Sequence, residues 1–87
     1  MTIDNLQDVY GDEIMEMVLG SARHGAVTAM LQHRLGTGWQ GKLWDFHQAG
    51  IVEVLGRGDR DENGQPEQVT GLRLTPAGHE LLSTTIS

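Results

Sequence analysis

The residues of this chain that could carry chemistry are few and widely spaced. Its four imidazoles belong to His24, His33, His47 and His79. None of them forms the His-x₃-His or His-Glu-x-x-His spacing that places two metal ligands on one helix face. The absence of cysteine excludes thiolate ligands and disulfides. No nucleophile motif surrounds Ser21 or Ser83, and no glycine-rich piece matches a phosphate-binding loop. We therefore expect no enzyme activity, no metal and no cofactor.

Residues 59–64, which read Asp-Arg-Asp-Glu-Asn-Gly, form the segment most like a ligand site. They match the first half of a calcium-binding loop, where alternating oxygen ligands and a glycine turn surround the ion. Thr70 stands where such a loop needs a bidentate Glu. Asp, Asn and Gly are also what an exposed hairpin turn requires. We favour the hairpin interpretation.

Charge is distributed unevenly around the formal net charge of −6. Residues 1–20 hold five acids and no Lys or Arg, residues 21–60 carry a net charge of +2, and residues 61–87 carry −3. Neutralisation of phosphates supplies most of the non-specific affinity of nucleic-acid-binding proteins. The middle segment is therefore the only candidate for a surface that faces phosphates.

Apolar periodicity predicts three helices in the first half of the chain. The first is firm over about 12–19, after a division at Gly11, and ends at Gly20-Ser21. The second runs from His24 or Gly25 to Leu35, with Val27, Met30, Leu31 and Leu35 as its apolar stripe. The third follows Thr37, which forms a capping box with Gln40. Its core-facing residues are Trp39, Leu43 and Phe46.

The segment 49–82 predicts a β-hairpin followed by a short helix. Two β-rich runs, 49–57 and 69–74, flank a polar tip at 58–67. Thr75 can cap a closing helix, and Pro76 suits the first turn of that helix. The expected fold class is α+β, mostly α.

Length and composition predict one globular domain. Eighty-seven residues suffice for a single modest core, which we place at about 5–83, with 84–87 frayed. No apolar run approaches the length of a membrane span, and no basic region precedes an apolar one at the N-terminus. We expect a soluble cytoplasmic protein.

These elements together resemble the winged helix-turn-helix superfamily, particularly bacterial regulators of the MarR and PadR types. The resemblance lies in residues 26–36, in Leu43 and Phe46, in the Gly-Ile-Val of 50–52, in Arg60-Asp61, and in the Leu-Thr-Pro-Ala-Gly of 74–78. It covers roughly residues 25–82. It implies three helices, a hairpin wing and a short C-terminal helix.

The resemblance also implies a function. In that superfamily the third helix enters the major groove of double-stranded DNA, and the wing contacts the backbone or the minor groove. Carried over to this chain, the resemblance implies a small transcriptional regulator that binds DNA as a homodimer. Its DNA-binding residues would be Arg34, Thr37, Gln40, Lys42, Gln48, Arg57, Arg60 and Arg73.

A second hypothesis is an acidic protein-interaction module or inhibitor, of the kind a phage or mobile element encodes, that does not bind DNA directly. It rests on the net charge, on Gly41 and Asp45 in the outward face of the third helix, and on the missing long dimerisation helices. Its interface would comprise Trp44, Asp45 and Gln48, with Trp44 at least half exposed as the anchor. The alternative for Trp44 is packing under the wing or against the first helix.

Overall fold

The structure, a computed structural model, describes the backbone of residues 3–86 and the side chains of residues 3–84. It is α+β and mostly helical, with four helices and one two-stranded antiparallel sheet in the described residues. In chain order the elements are α1 (Ile3–His24), α2 (Ala29–Leu35), α3 (Trp39–Gln48), β1 (Val52–Arg60), β2 (Pro66–Leu74) and α4 (Pro76–Ile86). α4 thus continues into the segment that was expected to fray, and Ser87 lies outside the described residues.

Helix α1 bends at Gly11 and is longer than the sequence predicts. Gly11 has φ 83° and ψ 165°, a conformation open essentially to glycine alone, so two helical segments meet there at a kink. The expected end at Gly20 is wrong, because Ser21 and Ala22 are buried and their packing holds the helix together beyond the glycine. The helix stops one turn later, where the Gly25 N–H donates to the Ser21 carbonyl at 3.0 Å.

The two helices that follow are shorter than predicted at their starts. Thr28 caps α2, its hydroxyl accepting from the Leu31 N–H at 3.1 Å, so this helix does not begin at His24 or Gly25. Met30 is 68% exposed and leaves the expected apolar stripe. At α3 the capping box is wrong. Gly38 is the N-cap, and no side chain forms a capping hydrogen bond to this helix. The Gln40 side chain instead bonds to the hairpin.

The hairpin is confirmed, but each strand extends three residues further toward the tip than predicted, so the connection is shorter. Val52 pairs with Leu74 at its base and Arg60 with Pro66 at its tip, with register shifts after Leu55 and after Arg57. The predicted cap of α4 is also confirmed, because the Gly78 N–H donates to Thr75 Oγ1 at 3.0 Å. A Cβ on Gly78 would lie 2.0 Å from the Ile51 carbonyl oxygen, so only glycine lets α4 approach the start of β1 this closely.

One core joins α1, α3 and the hairpin. Its fully buried side chains include Phe46, Leu43, Leu19, Leu31 and Ile51. Leu43 and Phe46 therefore face the core as predicted, and Trp39 packs partly buried against it. No helix in the described part of the chain is long and apolar enough to cross a membrane.

Candidate interaction surfaces

The polar side chains predicted to read DNA from α3 are partly occupied inside the chain. Gln40 Oε1 accepts a hydrogen bond from the Val69 backbone N–H at 3.1 Å, which ties α3 to β2. Lys42 Nζ donates to the Leu35 carbonyl, at the C-terminal end of α2 where a cation also suits the helix dipole. Both side chains therefore position elements of this fold.

Three of the predicted arginines also have partners within the chain. Arg34 forms an exposed ion pair with Glu13 of α1. Arg73 lies 3.8 Å from Glu53 across the hairpin. The Arg60 guanidinium donates to the Gly64 carbonyl at 2.9 Å and braces the hairpin tip. Glu13 was not expected from the sequence as the partner of Arg34, since no local signal pairs two residues 21 positions apart.

The remaining residues of the predicted DNA-binding set are Thr37, Gln48 and Arg57. All three are exposed. Within residues 3–84 their side chains make no hydrogen bond or ion pair. Arg57 is therefore the only cation of that set whose charge is not engaged with another part of the chain.

Trp44 is buried, with 7% of its surface exposed, so the expectation of a half-exposed anchor is wrong. Its ring stacks on His47 at a centroid distance of 4.1 Å, and His47 Nδ1 accepts from the Val54 N–H at 3.1 Å. Packing at the hairpin, the alternative left open above, is what the structure has. The indole N–H finds no hydrogen-bond partner among the described residues.

Asp45, the second predicted interface residue, is half-buried and accepts a hydrogen bond from the Tyr10 hydroxyl at 2.7 Å. The Tyr10 ring lies 5.0 Å from that of Phe46. Burial, aided by the hydrogen bond to Asp45 and its charge, raises the pKa of Tyr10 to about 12. Asp45 therefore joins α3 to the first segment of α1, and Gln48 alone of the predicted interface residues is exposed.

Acidic side chains dominate two exposed surfaces. On α1, Asp4, Asp8, Asp12 and Glu16 are exposed, and none of them has an ion pair within the described residues. At the hairpin tip, Asp61 Oδ1 accepts from the backbone N–H groups of Asn63 and Gln65, each at 2.9 Å. These hydrogen bonds explain why Asp and Asn occur in the turn at the tip. No cluster of metal-ligating side chains occurs in the described range.

Comparison of the chain with known protein families, with curated proteins and with solved structures finds no match.

Proposed function

We propose that the chain is a winged-helix domain that acts as an acidic protein-interaction module and does not bind DNA directly. The α2–turn–α3 pair followed by a hairpin, which α4 closes at Thr75, supports the winged-helix assignment. Because one fold serves many functions, the function has to rest on the surface.

The observation that carries the proposal is the internal engagement of the chain's cations. Arg34, Lys42, Arg60 and Arg73 all contact acceptors within the chain, which leaves Arg57 alone of the predicted phosphate-binding cations. A protein that neutralises six to ten phosphates gains roughly 10³–10⁵ in affinity between 200 and 50 mM salt. With Arg23, which lies outside that set, two cations have no partner within the described residues, and two cations on a chain of net charge −6 cannot supply such a term.

The charge of the exposed surface favours a basic partner. Asp4 and Asp12 begin the two segments of α1, where acids also suit the helix dipole. That role does not extend to Asp8 and Glu16, each of which lies four residues beyond another acid. Like charges at this spacing cost a few tenths of a kcal/mol per pair. A partner with a basic surface would offset this cost and associate faster through electrostatic steering.

Titration of a fluorescent mixed-sequence DNA duplex with the protein at low salt tests whether the chain binds DNA. The proposal expects no saturable binding by the wild-type protein. A duplex complex whose affinity falls steeply with salt would overturn the proposal, and its slope would count the phosphates contacted.

Capture of binding partners from a lysate of the native host tests whether the chain binds another protein. The double variant Asp8→Asn/Glu16→Gln removes two exposed charges that have no ion pair within the described residues, whereas Gln7→Asn/Gln68→Asn is a matched control at exposed neutral positions outside the predicted interface. We expect the same partner to bind the wild type and the control, and to bind the acid-neutralised variant several-fold more weakly. Equal capture by all three would contradict the role of the α1 acids.

DNA binding remains a second candidate because the ion pairs of Arg34 and Arg73 are weak. Their side chains are 42% and 68% exposed, and exposed ion pairs contribute about 0–1 kcal/mol. A phosphate could replace Glu13 or Glu53 at little cost. If the duplex titration shows binding, Arg34→Gln should lower the affinity and reduce the salt slope by about one.

A further inference from the structure

A cleft separate from α3 gathers half of the histidines and a third of the Lys and Arg residues of this acidic chain. It opens between the C-terminal end of α1, one face of the hairpin and the start of α4, and its volume is about 390 Å³. Its basic lining consists of Arg23, His24, Arg73 and His79. Its apolar lining is mainly the half-buried Leu55, because Leu72 and Leu74, at 1% and 9% exposure, belong to the core.

No carboxylate side chain lines this cleft. Of its basic residues, Arg73 has an acidic partner, Glu53, whose Oε2 lies 3.8 Å from Arg73 Nη1 in an exposed pair. Arg23 makes no ion pair within the described residues. The guanidinium groups of Arg23 and Arg73 therefore keep most of their donors unused.

Placement at a helix end explains only part of the cluster. Arg23 and His24 lie in the last turn of α1, where cations suit the helix dipole. Arg73 comes from β2 and His79 from α4, and neither is near the end of a helix that would favour a cation. Basic groups from three elements thus converge on one concavity, and the charges of the two guanidinium groups repel one another unless an anion lies between them.

We propose that this cleft binds a small organic oxyanion, a carboxylate or a phosphate monoester with an apolar body. The two guanidinium groups hold the oxyanion, since their planar forks match both headgroups. The imidazoles of His24 and His79 add hydrogen-bond donors, and the apolar body packs on Leu55. A volume of about 390 Å³ lies within the range of small-molecule sites. This inference does not depend on the proposed function.

Calorimetric titration with hexanoate, hexyl phosphate, inorganic phosphate and hexanol tests the site. The two hexyl anions should bind in the low millimolar range or tighter, and hexanol should not. Tighter binding of hexyl phosphate than of hexanoate would identify a phosphate ligand, and the reverse a carboxylate. Binding of inorganic phosphate as tight as that of hexyl phosphate would overturn the role of Leu55 and the apolar body.

Three charge-removing variants locate the binding. Arg23→Gln and Arg73→Gln should each raise the dissociation constant by at least about tenfold, as expected for a lost charge-assisted contact. Arg57→Gln makes the same change in net charge outside the cleft and should leave the constant within about twofold. Circular dichroism checks that the variants fold, and Arg23→Gln carries the test if Arg73→Gln destabilises the hairpin. No binding by the wild type, equal binding of hexanol, or equal losses in all three variants would overturn the proposal.

Discussion

At the scale of single residues, Tyr10 connects two distant parts of the chain through one hydroxyl. It donates to Asp45, 35 residues away, while its ring packs beside Phe46. Burial, and after it the hydrogen bond to Asp45 and its charge, raises the pKa of Tyr10 to about 12, so the folded protein favours the neutral phenol. Stability from this group is therefore complete below pH 10, and it is lost as pH rises from about 10 through about 12.

Replacement of Tyr10 by Phe tests this coupling. The variant keeps the ring and loses the hydrogen bond, so we expect unfolding at neutral pH to cost about 1 kcal/mol less than in the wild type. The part of the alkaline loss of stability that Tyr10 causes should also disappear. Tyr10 is the only tyrosine, so phenolate absorbance in the wild type reports its titration directly, with an expected midpoint near 12. A midpoint near 10 would show that the hydroxyl is neither buried nor held by Asp45.

Trp44 gives a residue-scale prediction about the core. Trp44→Ala should cost about 3–5 kcal/mol of stability, the range for emptying a buried aromatic site. Trp44→Phe should cost less than about 2 kcal/mol, because it keeps the stack on His47 and removes an indole N–H that has no acceptor among the described residues. Urea unfolding measures both variants. Equal costs would indicate that the N–H makes an important bond, for instance to an ordered water.

At the scale of elements, the kink at Gly11 determines whether both halves of α1 reach the core. The first half contributes Leu6, which is fully buried, and Tyr10, while the second contributes Val18 and Leu19. Both halves can pack only if the axis bends between them, and the glycine conformation provides that bend.

Alanine at two glycines of α1 separates backbone strain from helix propensity. Gly11→Ala should destabilise the fold by about 1–3 kcal/mol, since alanine must either adopt a strained conformation or straighten the helix and withdraw Tyr10 from Asp45. No atom lies within 4 Å of either added Cβ, so neither substitution creates a clash. Gly20→Ala, at an ordinary helical position, should stabilise by about 0.5–1 kcal/mol. Denaturant unfolding of both variants gives the comparison, and the same sign of change in both would contradict this account.

Elements governed by local chemistry were predictable from the sequence, and those governed by packing were not. The hairpin, the Thr75 cap and the inward face of Leu43 and Phe46 follow from alternation, capping and helical period over a few residues. The stop at Gly20 and the exposure of Trp44 were wrong because contacts with other elements overrode the local pattern. The partners of Lys42 and Arg34, like the basic cleft, depend on residues far apart in sequence, for which one sequence offers no signal.

At the scale of the whole molecule, charge opposes the compact state. The described residues contain two ion pairs, both largely exposed, against a formal net charge of −6. Salt screens the repulsion among the many acidic side chains more than it weakens the attraction within the two exposed ion pairs. We expect the free energy of unfolding to rise between low and moderate sodium chloride concentrations.

The α1 acids connect this charge balance to the proposed function. Asp8→Asn/Glu16→Gln brings the formal net charge from −6 to −4 and relieves two like-charge pairs at i, i+4 spacing. Its stability at low salt should rise by roughly 0.5–1 kcal/mol, and its salt dependence should flatten. Arg57→Gln, which makes the chain more acidic, should steepen that dependence. If the double variant is more stable and also binds the partner less, these acids oppose folding and favour association, as expected of residues that serve an interface. A loss of stability would instead show that they support α1 itself.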